Sequence, residues 1–204
     1  MADISFTVEK NLVVNNKEFR YSGIFLADEI FSQVNAALEE KGYTKQEKRA
    51  EEKVTPTGRK LYLELRPYKI VTNYINLMIK IRITLDNVTE HTEKKNGVPR
   101  KFDKGDVHVA FDAWSITNYE GRWGMKPLVY FLKGVFNKYI YTFPVESGAT
   151  SELVEDTVHI YAQVKHLLQS YAGERPPLKT EEEVLEEMKK EITKEIEQGM
   201  FPEG

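Results

Sequence analysis

The chain contains no cysteine among its 204 residues. That single absence removes disulfides, thiolate nucleophiles, CxxC redox pairs and thiolate metal sites together. No apolar run approaches the roughly 20 residues needed to span a bilayer. The opening MADISFTVEK has no basic segment followed by an apolar core, so no secretory leader is expected. These absences lead to the expectation of a soluble, cytoplasmic protein without a transmembrane segment. Net charge is −3, too small for nucleic acid to be attracted by overall charge alone. GxGxxG, GxSxG, the P-loop and HExxH are also missing, so no cofactor is implied and nothing argues for an enzyme.

Histidine is scarce, with four in the chain. His108 and Asp112 fall on one face of a strand pattern, but four residues separate them by about 13 Å, beyond the reach of a catalytic dyad. His159 and His166 are about 10.5 Å apart along a helix axis, and a metal needs each ring nitrogen near roughly 2.1 Å. That pair alone therefore cannot chelate a metal. His91 lies in a polar hairpin pattern. All four read as ordinary surface or partly buried histidines.

What is present is enough apolar material for a substantial core, 41% hydrophobic and 11% aromatic residues. Abundant Lys and Glu without Cys would also suit a heat-adapted source. Residues 3 to 21 read as one strand or a hairpin interrupted at NNK. In LADEIFSQVNAALEEKGY, Ala27, Ile30, Phe31, Val34, Ala37 and Leu38 recur at helical spacing, acids occupy the first turn, and Gly42 is a stop. Then the period changes to two. YTKQEKRAEEKV is polar enough for an exposed edge strand, TPTG turns, and KLYLELRPYKI puts Leu61, Leu63 and Leu65 on one face. YINLMIKIRITL is the clearest strand, with Ile75, Leu77, Ile79, Ile81, Ile83 and Leu85 facing one way. VTEHTE and VPRKF read as a hairpin around Asn96-Gly97, DKGD as a further turn, and VHVAFDAWSIT as the last strand.

Helical spacing returns after Pro127, which suits a first helical position. Leu128, Phe131, Leu132, Val135, Phe136 and Tyr139 form an apolar face to about Tyr141, where Pro144 interrupts. TSELVEDTVHIYAQVKHLLQSYAG follows, with Leu153, Ile160, Tyr161, Val164, Leu167, Leu168 and Tyr171 as its stripe. ERPPLK is a linker by composition. TEEEVLEEMKKEITKEIEQ opens on a capping box, Thr180 and Glu183, and carries only the narrow stripe Leu185, Met188, Ile192 and Ile196. The division is a single α+β domain over 1–172, a linker over 173–179, and a charged C-terminal helix and tail over 180–204. The fold class is α+β: an antiparallel sheet of about six to seven strands, packed by one helix from the N-terminal half and long C-terminal helices.

This order of elements, over roughly residues 3 to 172, resembles the START-like (SRPBCC) helix-grip superfamily. There a curved sheet wraps a long helix, and the space between them often holds an apolar small molecule. The resemblance is one of topology, without a motif, so it carries over no functional residue. A possible first hairpin and the break at Pro144 depart from the family's order. A pocket of that kind would be lined by Leu63, Ile79, Ile81, Val109, Phe111, Phe131, Val135 and Tyr161. Its mouth would lie near the bend NYEGRWG, with Tyr119, Arg122 and Trp123 as a gate.

Two other readings stay open. Between Arg59 and Lys101 there are ten Lys or Arg against four Asp or Glu. Tyr62, Arg66, Tyr74, Lys80, Arg82 and Trp114 alternate with the apolar face, and basic residues interleaved with aromatics on a sheet suit single-stranded RNA or a ribosomal partner. The helix over 180–198 offers the third reading, self-association or a protein partner.

Overall fold

The computed structural model describes residues 8–95, 98–118, 144–172 and 186. Its elements run β1 (Val8–Phe25), α1 (Ala27–Glu40), β2 (Glu47–Thr55), β3 (Gly58–Leu65), β4 (Tyr68–Ile70), β5 (Ile75–Lys95), β6 (Val98–Asn118) and α2 (Pro144–Tyr171). Six strands form one open antiparallel sheet in the order β1-β6-β5-β3-β2, with β4 pairing β5 off that path. The first strand thus lies beside the last, and the rest follow as a meander. β1 and β2 are the edges.

The alternation of β5 decides which face is covered. Ile75, Leu77, Ile79, Ile81, Ile83 and Leu85 are all fully buried, as are Val107, Val109, Phe111 and Ala113 of β6. Against them α1 sets Ile30, Val34 and Leu38, and α2 sets Leu153, Ile160, Val164 and Leu168. Helices at a period near 3.6 and strands at a period of two thus share one core on the inner face. α2 starts at Pro144, whose missing N–H falls where a helix has no use for it. The described residues contain no helix long and apolar enough to cross a membrane.

α1 ends as its sequence requires. Gly42 takes φ +75°, and the N–H groups of Gly42 and Tyr43 donate to Glu39 O and Leu38 O at 3.0 and 2.9 Å. That double closure is a Schellman motif, which needs a left-handed residue just past the helix. At the other end Leu26 offers no side-chain cap. Asp103 of β6 replaces it, accepting from the Ala27 N–H at 3.2 Å.

Of the two alternatives expected for the N-terminal segment, residues 8–25 take the single strand, because both halves pair with β6, and two other expectations are corrected. The Asn15-Asn16 step makes a bulge, with Asn16 at φ 44°. VTEHTE and DKGD do not delimit separate strands. β5 and β6 each run 21 residues, with a shift between Asp86 and Thr89 where Asn87 sits at φ 54°. DKGD is held extended because it is flanked on both sides: Asp103 to Gly105 face Phe25 to Gly23 of β1. Ladders on two edges override local turn propensity. The second helix also begins six residues before the TSELV pattern, at Pro144 itself.

The bulge in β5 demands glycine beside it. Gly58 has φ +140°, and a Cβ there would lie 2.8 Å from Asn87 C and from Val88 O. Gly58→Ala is therefore expected to destabilise by about 1–3 kcal/mol. Urea unfolding checks this, and an unchanged midpoint would show that the β2–β3 turn can shift away from β5.

Candidate binding groove

The inner face of the sheet is not equally covered. β2 is exposed along nearly all its length, and burial along β3 falls from Leu65, which is 1% exposed, to half-buried Leu63 and Leu61. Composition explains this. EKRAEEKVT has only Ala50 and Val54 as apolar residues, so β2 cannot hold a helix against itself. The result is a half-open groove of about 400 Å³ between α1 and the β2–β3 hairpin. Its lining is Phe31, Lys45, Glu47, Ala50, Glu51, Glu52, Leu61, Tyr62 and Leu63.

Register places these groups. Ala50 lies opposite Leu63 and Glu52 opposite Leu61, so all four side chains point to the inner face. A shift between Glu47 and Arg49 keeps Glu47 opposite Leu65, on the same face. One end of the groove is fixed by a chain of charges. Glu52 meets Arg59 at 3.6 Å, Arg59 meets Asp103 at 3.2 Å, and Asp103 caps α1. Glu51 turns the other way to Arg49 at 2.7 Å, and that hydrogen bond lowers its pKa.

Among the described residues, Leu63 is the one member of the expected pocket lining that faces this groove. Ile79, Ile81, Val109 and Phe111 are fully buried in the core. Tyr161 is buried edge-on between Phe111 and Phe19, with ring centroids at 5.8 and 5.1 Å. Tyr119, Arg122, Trp123, Phe131 and Val135 lie outside the described residues, as do the bend NYEGRWG beyond Asn118, the helix expected over 128–141 and the linker at 173–179. So does the stretch over 180–198 apart from Glu186, which is helical.

The outer face carries the residues suggested for RNA, and most of its charges are already paired. Arg82 donates to Asp112 at 2.9 Å and to Asn16 at 2.8 Å, while the Asn16 N–H donates to the same carboxylate. Glu64 accepts from Arg66 and Tyr62. Partial burial pushes its carboxyl up, but these bonds outweigh that and leave it below the ordinary range. Lys60 meets Asp86 at 2.8 Å. Lys80 stands opposite Asp112 in register, and half-buried Trp114 stands between Leu12 and Met78. Tyr74 is not in this row; it packs against the core at the start of β5. The excess of ten basic over four acidic residues is a local count, and acids from β1, β2 and β6 offset it.

Two of the four histidines also have carboxylate neighbours. His108 meets Glu18 at 2.8 Å and lowers the pKa of that carboxyl, whereas Asp112 belongs to Arg82. His159 meets Glu40 at 3.1 Å. No group of three or more His, Asp or Glu suited to a metal occurs among the described residues.

One charged cluster was not foreseen. Lys69 of β4 reaches Glu152 at 2.7 Å and Asp156 at 3.1 Å on α2, with its ammonium 5.4 Å from the Tyr43 ring. Burial raises the pKa of Asp156 despite the lysine. Tyr43 is pushed far up by burial first and by Asp156 second. The arrangement ties α2 to β4 and to the end of α1. No family model matches this chain, and no curated protein matches it.

Proposed function

We propose that this chain is a non-enzymatic binding protein that takes an apolar small molecule in the groove under β2 and β3. The observation that carries the reading is the set of three half-buried apolar side chains, Phe31, Leu61 and Leu63, facing one groove of about 400 Å³. That volume falls within the roughly 300–1,000 Å³ of small-molecule sites. The order of elements supports it too: a strand, a helix, further antiparallel strands and then a long helix on the covered face, the order on which the helix-grip resemblance rests. Relative to that resemblance the ligand sits nearer α1, because the space under α2 is occupied by core side chains. The RNA reading has less support, since the cations a phosphate needs are engaged by Asp112, Glu64 and Asp86.

The test is native mass spectrometry of the intact chain beside the same sample denatured. Wild type is expected to carry a small added mass that disappears on denaturation. Leu63→Trp should fill the groove, lose that mass, and keep its circular dichroism. An added mass that survives Leu63→Trp in a folded protein would place the ligand elsewhere and end this reading.

A further inference from the structure

We infer that the ligand is a cationic amphiphile, an apolar body bearing an amine or quaternary ammonium; this rests on the small-molecule reading of the groove. The floor is apolar, and the rim decides the sign of the head group. Glu47, Glu51 and Glu52 line the groove against a single cation, Lys45. Glu51 is satisfied by Arg49 at 2.7 Å, but Glu52 meets Arg59 only at 3.6 Å. Neither Glu47 nor Lys45 has an ion pair among the described residues.

The two under-used carboxylates are also on the correct side. The register shift at Glu47 and the alternation at Glu52 direct both to the inner face, the face of Leu61 and Leu63. A ligand tail on those leucines therefore brings its head group to carboxylates. A carboxylate or phosphate head would face the same acids, with Lys45 to meet it and with Arg59 at the end of the groove already shared between Glu52 and Asp103. Like charges at such a rim disfavour binding, and opposite charges favour it.

The experiment is calorimetric titration of the full chain with decyltrimethylammonium and with decanoate, each below its micellar concentration, at low salt. The two probes share a tail and differ in the sign of the head. The cation is expected to bind about five- to tenfold more tightly, because two exposed carboxylates contribute modestly and are screened. That preference should fall toward parity in Glu47→Gln/Glu52→Gln and at high salt. Decanoate binding as tightly as the cation in wild type would overturn the inference while leaving the groove in place. Leu63→Trp should abolish both titrations. If it abolishes neither, it is the groove reading that fails.

Discussion

Phe111→Ala is expected to lower the unfolding free energy by about 3–5 kcal/mol, the usual cost of removing a buried phenyl ring from a packed site. Phe111 is fully buried at the centre of β6. Its ring meets Tyr161 of α2 at 5.8 Å, and Tyr161 meets Phe19 of β1 at 5.1 Å, both edge-on. This row joins the sheet's first and last strands to the covering helix, so the lost ring cannot be replaced by a small shift of one side chain. In a chain of this size the change corresponds to a fall in Tm of roughly 6–20 °C. The measurement also separates two accounts of the protein. If the space between the sheet and α2 were an empty ligand cavity, Phe111 would have few neighbours on one side, and truncation would cost only about half as much. Phe111→Leu guards against a variant that fails to fold at all. It keeps most of the volume and should cost under about 1.5 kcal/mol.

Much of this fold is written locally, and the parts that are not share a cause. β5 is legible because its period of two runs unbroken from Ile75 to Leu85. α1 is legible because Gly42 and the acids at its start mark both ends. The bulges are not legible. Asn15-Asn16, a bulge, and DKGD, an extended stretch, both carry the composition of turns, and only the neighbouring strands keep the chain in the sheet there. The groove was half legible. Leu61 and Leu63 look like any core leucines, but the strand beside them offers little more than Ala50 to a helix, and a sheet that cannot be covered leaves a hollow. Its acidic rim was hidden, since Glu47 faces inward by virtue of a register shift. The Lys69 cluster was beyond sequence reasoning, because Lys69 and Asp156 lie 87 residues apart and nothing local pairs them.

Lys69→Met should cost about 2–3 kcal/mol at pH 7.5, somewhat less than the roughly 3–5 kcal/mol of breaking a fully buried pair. The discount reflects exposure: the lysine side chain is 22% exposed and that of Glu152 is 40%, while that of Asp156 is only 7%. Most of the cost is therefore the Asp156 charge left in a poorly solvated place. The pH dependence follows with a definite sign. Burial already raises the pKa of Asp156 in the folded protein, against the lowering effect of Lys69. A carboxyl whose folded pKa is raised holds its proton longer when folded, so its contribution to stability declines as pH rises from the unfolded value near about 4 through the folded one. Removing Lys69 raises the folded value further and widens that window. The deficit of Lys69→Met relative to wild type should then be largest above the window and shrink by at least about half at pH 4, where Asp156 is increasingly protonated in both states. Adding Asp156→Asn to Lys69→Met should recover much of the loss at pH 7.5 and flatten its pH dependence. Denaturant unfolding of the three proteins at the two pH values decides the matter. An equal deficit at pH 4 and pH 7.5 would mean that the lysine acts through its stem against Tyr43, and that α2 is held to β4 by packing rather than by charge.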